Sequence, residues 1–317
     1  MIKQFESPRS KRSSLIADSA TERALAANPE SGHQVVDTPS VEIRVDTEED
    51  WLPECLANIF SAGLPADDSI NTEGAKQVLV YKVRRETNDD GELVWRIDPT
   101  AFPKFSAVAK YELVTGLENS ISNRLARSLN EFQLFHSGAL TRNGHGILIP
   151  GASGAGKSTT TAALAFSGFA YCTDDVAVFG MDRGLRPFPK VLALKPPGWK
   201  VISTHYRESA EAVVYSSGQD GVTYLRPPVL PSAESSMTGV PVDHIFLPRK
   251  DDPNAPVIDK ISKTEVVKVL TEESLDLQLL RGAAFEGLID LVRDAECYTL
   301  NVLDLSAAVE AVKELTG

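Results

Sequence analysis

The apolar run Gly146-Ile-Leu-Ile-Pro150 leads directly into Gly151-Ala-Ser-Gly-Ala-Gly-Lys-Ser158, and Ser158-Thr-Thr-Thr-Ala-Ala-Leu-Ala165 follows. No other stretch restricts the fold as strongly. An uninterrupted apolar segment of that length reads as a buried strand, and the last run is helix-forming. The eight residues Gly151–Ser158 fit G-x-x-x-x-G-K-[ST] at every specified position. Strand, glycine-rich turn and helix in that order predict an α/β core.

Each residue type in the motif has a physical task. Glycines let the backbone curl so that successive N–H groups point at phosphate oxygens. The helix beginning near Lys157 presents its positive end to the same oxygens. Lys157 can reach the β- and γ-phosphates, and the Ser158 hydroxyl can sit on magnesium. The nucleotide-binding candidates are therefore Gly151, Ala152, Ser153, Gly154, Ala155, Gly156, Lys157, Ser158 and Thr159. ATP and Mg2+ are the expected cofactors.

Downstream, Tyr171-Cys-Thr-Asp-Asp-Val-Ala-Val178 places two adjacent carboxylates between apolar strand segments. One helix and one turn separate Lys157 from Asp174. Strand Ala170–Thr173 should then return the chain to the phosphate edge, because parallel strands of an α/β unit end on one side. One carboxylate can hold magnesium and the other can accept a proton from an attacking hydroxyl. Spacing leaves the division open. Alternation along a strand favours Asp175 as the base and Asp174, with Ser158, at the metal. His136, in Leu134-Phe-His-Ser-Gly138 ahead of the P-loop strand, is a further catalytic candidate beside Lys157, Asp174 and Asp175.

Composition bounds the partners. A formal net charge of -12 argues against a nucleic-acid surface. No apolar run approaches the roughly 20 residues of a membrane helix. The three cysteines are far apart and match no zinc spacing, as expected of free thiols in the cytoplasm. The Asp-x-x-Gly and Asn-Lys-x-Asp pair of GTPases is absent, as is an apolar strand ending in Asp-Glu.

The reading along the chain divides it into three. Residues 1–40 are polar, with few large apolar side chains, and read as a disordered tail. Residues 41–130 read as a small α+β domain: strands at 41–45, 77–83 and 93–97, a helix over 51–62 that Gly63 stops, and a helix over 111–129. Residues 131–317 read as the P-loop domain. There, Pro196-Pro-Gly198 breaks the chain after a strand at 191–194, and 207–240 is irregular.

The run Phe135–Ser158, followed by Thr173-Asp-Asp175, resembles the HPr kinase/phosphorylase family, in particular its stand-alone relatives. Val242-Asp-His-Ile-Phe-Leu-Pro-Arg249 and Ile261-Ser-Lys-Thr-Glu-Val-Val267 are similar to the same group. The resemblance implies a P-loop kinase core of HPr kinase and phosphoenolpyruvate carboxykinase type. It also implies ATP-dependent phosphorylation of a serine or other hydroxyl on a protein, peptide or small molecule. Metal binding and proton acceptance fall to Asp174 and Asp175, and the histidine before the P-loop strand is His136. The family's glycine-rich downstream signature is missing, and Leu194-Lys-Pro-Pro-Gly-Trp199 stands in its place. The resemblance therefore does not reach to HPr as acceptor or to phosphorolysis. A homo-oligomer fits this reading. The alternative is an ATP-binding and hydrolysing protein with an assembly or regulatory role and no phosphorylated acceptor.

Overall fold

The computed structural model describes residues 32–317 apart from 39–40, 63–75, 101, 130–131, 181, 219–220, 233–234, 236–237, 251 and 276, and apart from the side chains of 277–284. It is a mixed α/β structure with three sheets and seven named helices among the described residues.

The first sheet has its strands in chain order: β1 (His33–Asp37), β2 (Val41–Thr47), β3 (Gln77–Thr87), β4 (Leu93–Pro99) and β5 (Phe105–Ala107). Helix α1 (Trp51–Ile59) links β2 to β3, the one parallel pair, and the other pairs are antiparallel. Strand β2 shows the alternation read in Val41–Val45, with Val41, Ile43 and Val45 buried. Helix α2 (Lys110–Ser128) starts where the Glu112 carboxylate accepts the Val108 and Ala109 N–H groups, an arrangement that satisfies free donors of the first turn. It buries Leu113, Leu117, Ile121 and Leu125.

The proposed tail does not extend to residue 40. Residues 33–37 form β1, with Val35 and Val36 buried against the sheet. Two valines between polar residues give too short a pattern to read as a strand. Residues 1–31 and Gly63 lie outside the described residues, and α1 ends at Ile59 rather than Ala62.

The P-loop lies in the largest sheet. Strand β6 (Phe132–Arg142) and β7 (His145–Pro150) form a hairpin whose turn, Asn143-Gly144, has both φ angles positive, as a two-residue turn favours. Helix α3 (Lys157–Phe166) follows the P-loop, then β8 (Ala170–Thr173), β9 (Val176–Gly180) and β10 (Gly184–Arg186). Strand β14 (Val240–Arg249) runs parallel to β7, and β16 (Glu296–Asn301) parallel to β14. Strand β15 (Ile258–Lys260) pairs with β16, and β10 pairs with both β9 and β14.

Strands β7 and β8 are parallel, as expected, but they are not neighbours. Strand β6 lies between them, antiparallel to both. The carboxyl ends of β7 and β8 still meet at one edge, where Ser137 of β6 pairs with Pro150. Strand β9 continues along β6 beyond the Asp174–Asp175 turn, with His136 opposite Val176.

A third sheet is ordered β11 (Leu192–Leu194), β13 (Thr223–Leu225), β12 (Val213–Ser216), and its last two strands lie in the stretch 207–240 expected to be irregular. Strand β11 matches the strand expected at 191–194, whereas β12 and β13, four and three residues long, are too short for a periodic signal. Helix α4 (Pro196–His205) begins at the two prolines read as a break. Proline is well placed in a first turn, where its missing N–H has no partner to lose.

Helices α5 (Lys263–Glu273), α6 (Leu277–Asp294) and α7 (Leu305–Thr316) complete the chain. Phe135, Leu148 and Phe179 from the sheet pack with Val266, Leu270, Leu288 and Leu291 of α5 and α6. A second cluster is continuous from Leu56 and Leu117 of the first region to Leu140, Leu164 and Leu225 of the second. The region 41–130 thus shares its core with the P-loop region. No helix among the described residues is long and apolar enough to cross a membrane.

Candidate functional site

Three P-loop glycines carry the curl. Gly151, Gly154 and Gly156 have φ of 145°, 87° and 110°, a region that costs other residues about 1–2 kcal/mol. Gly156 caps α3, and Thr160 N–H donates to its carbonyl at 2.9 Å. Ala152, Ser153 and Gly154 are exposed, while Ser158 and Thr159 are half-buried at the first helical turn. No hydrogen bond is made by the Ser158 hydroxyl among the described residues.

Lys157 is 6% exposed, and its ammonium folds back to donate to the Gly151 carbonyl and, at 3.4 Å, to Ala152. Burial pulls its pKa down, opposed by Glu273 and Asp175, while Lys195 reinforces the fall. A buried cation held mainly by carbonyls is short of an anion, and phosphate would supply one. Two more lysines approach. Lys195 precedes α4, close enough to repel Lys157. The Lys250 ammonium lies 3.0 Å from where a Cβ on Gly156 would stand.

The two aspartates face opposite ways. Asp174 is 3% exposed, accepting from the Tyr171 hydroxyl at 3.0 Å and the Ala193 N–H at 3.3 Å. Burial pushes its pKa up to about 6, against the pull of Lys190. The Asp175 side chain is 37% exposed at the open edge. Its Oδ2 accepts from Lys190 at 2.7 Å, and its Oδ1 lies 3.5 Å from His136 Nε2. The Lys190 charge holds the Asp175 carboxyl below its usual range, with His136 and Lys157 adding to the effect.

His136 bridges two carboxylates, with Nδ1 at 3.0 Å from Glu273 of α5 and Nε2 facing Asp175. A neutral ring can donate to one of them and an imidazolium to both. The structure therefore brings Lys157, Asp175 and His136 to one edge, at the carboxyl ends of β7 and β8, where α/β sheets bind ligands. Asp174 sits behind that edge with both oxygens engaged.

Sequence reasoning missed Lys190, Glu273, Lys195 and Lys250. Only Lys190 left a trace, as a lone cation between Phe188-Pro189 and Val191-Leu-Ala-Leu194. No set of three or more His, Cys, Asp or Glu side chains among the described residues is arranged to hold a metal ion. An open cleft lined by Asn58, Phe166, Glu208, Val213 and Arg226 contains none of the site residues. No protein-family model matches the chain, and no curated protein sequence matches it.

Proposed function

We propose that this chain is an ATP- and magnesium-dependent phosphotransferase that moves the γ-phosphoryl group to a hydroxyl of a protein, peptide or small molecule. On this reading its core is of the HPr kinase and phosphoenolpyruvate carboxykinase type. The observation that carries the proposal is the placement of Asp175: an open-edge carboxylate that shares its electrostatic field with the P-loop Lys157.

The N–H groups of Gly151–Ser158 and the start of α3 bind the phosphates. Lys157 exchanges its carbonyl partners for β- and γ-phosphate oxygens, and Lys250 and Lys195 add positive charge around them. The Ser158 hydroxyl, without a hydrogen bond among the described residues, fits a magnesium ligand, and magnesium bound there would neutralise charge on the phosphates. Asp175 accepts the proton of the attacking hydroxyl as its oxygen bonds to the γ-phosphorus and the bond to the ADP oxygen breaks. Lys190 keeps Asp175 ionised for that role. Asp174, expected beside the metal, instead braces the turn through Tyr171 and Ala193 in this reading. The start of α4 occupies the stretch where the HPr kinase signature would lie, and nothing in this reading singles out HPr as the acceptor.

The test is to incubate the full chain with magnesium and ATP labelled at the γ-position, together with cell extract. Label transferred to a protein or small molecule supports the proposal. Free phosphate with no labelled acceptor would favour the ATPase reading, and no nucleotide binding at all would end both.

A further inference from the structure

Lys190 carries the only ammonium in the described structure that is both nearly buried and paired with two carboxylates, at 3% side-chain exposure. Beside Asp175, it donates at 3.1 Å to Glu118 of α2, whose side chain is 6% exposed. Glu118 also accepts from Ser122 at 2.9 Å and from Tyr224 of β13 at 3.3 Å. The backbone next to Lys190 is anchored to the first region too, since Val191 N–H donates to the Ile59 carbonyl at the end of α1. A chain of contacts thus runs from α2, through Lys190, to the carboxylate turn.

Stability alone does not account for such a chain. Taking charges out of water costs several kcal/mol per ion, and apolar residues of like volume often do as well or better. Glu118 stands next to Leu117 on the buried side of α2, a position where leucine would serve the core. What the triad does achieve is geometric. Lys190 occupies Asp175 Oδ2 and fixes the carboxylate plane, leaving Oδ1 toward His136 and the open edge. Glu118, held by three donors, fixes Lys190.

We propose that Lys190 and Glu118 are positioning residues that aim Asp175, so that α2 of the N-terminal region is a working part of the phosphoryl-transfer site. The inference rests on the phosphotransferase reading. It predicts that damage to the α2 end of the relay lowers turnover without weakening nucleotide binding.

The experiment uses the full chain with Glu118→Gln, Lys190→Met and Lys190→Arg. Affinity is read with a fluorescent ATP analogue and magnesium, turnover as ADP release and transfer of label. Glu118→Gln and Lys190→Met should bind Mg-ATP within about twofold of wild type. Their kcat should fall about 10- to 100-fold, the scale of a slightly misplaced group, with KM little changed. Lys190→Arg, which keeps charge and reach, should recover part of the loss. Should Lys190→Met fail to fold, Glu118→Gln decides, because it leaves the Lys190–Asp175 pair in place. A folded Glu118→Gln protein with wild-type kcat overturns this proposal alone, even with a lowered melting temperature. Wild-type protein that neither binds nor turns over Mg-ATP overturns the phosphotransferase reading and this proposal together.

Discussion

Residues 151–159 build their half of the site from one strand end, one turn and the first turn of α3. The other half, at Asp174–Asp175, draws partners from β6, α2, α5 and the segment before β11. In the first half the contacts are local: Lys157 bonds carbonyls five and six residues away. In the second, Lys190 reaches Glu118 across 72 residues of chain, and His136 reaches Glu273 across 137. A local half can bind a ligand without holding the fold together. An assembled half ties function to stability, because its charges are partners in the core.

The sharpest test of that contrast is Lys157→Ala. Among the described residues its ammonium hydrogen-bonds only to loop carbonyls, so under the proposed function productive Mg-ATP binding should be lost. The melting temperature should move by no more than a few degrees, which corresponds to about 1 kcal/mol in a chain of this size. Calorimetric titration and thermal unfolding together read both. Unaltered affinity in a folded mutant would remove the P-loop from the mechanism.

Asp175→Asn should separate binding from chemistry. Mg-ATP affinity should persist, and transfer should slow by about 10²–10⁴, the usual worth of a general base. The substitution also removes one of the two carboxylates that hold Lys190, so a lower melting temperature is expected here, unlike in Lys157→Ala. A mutant with wild-type transfer rates would leave Asp175 without a role.

The same contrast explains what the sequence reveals. The P-loop and α3 are legible residue for residue, because a short motif with strand and helix flanks encodes its own geometry. The Asp-Asp turn is legible through chain direction, but Asp174 and Asp175 lie between β8 and β9 rather than on a strand, so alternation does not account for their different surroundings. The intervening β6 was not legible, since two strands can be parallel with or without a neighbour between them. Glu118 was hidden by the strong apolar face of α2, in which one acidic residue reads as solvated. Lys190, Glu273, Lys195 and Lys250 come to the site through tertiary contacts that no spacing records. Pro196 and Pro197 suit a chain break and a helix start equally well, and sequence alone does not separate the two.

Asp174 gives the subtlest test of the assembled half. Its pKa in the folded chain is raised to about 6, chiefly by burial, against roughly 3.9 in an unfolded chain. Between those values the folded state holds the proton more tightly than the unfolded state. Stability from this group therefore falls as pH rises through the window, and above about pH 6 the ionised side chain costs on the order of 2–3 kcal/mol. Asp174→Asn removes that dependence. It also alters the bonds to Tyr171 and Ala193, but that cost is nearly independent of pH. The melting temperature of the mutant minus that of wild type should thus be larger at about pH 7.5 than at about pH 4.5, by several degrees. Asp175 is present in both proteins, so its own opposite pH dependence largely cancels in the difference. Repeating the series with magnesium and ATP distinguishes the bracing role from a metal-binding one. A brace keeps the same pH trend with ligand present. An Asp174 that turns outward to the metal would instead make wild type gain stability from Mg-ATP that the Asn variant does not share. A difference that stays flat from acid to neutral pH would mean that the Asp174 carboxyl is not raised in the folded chain, its partners offsetting the cost of burial.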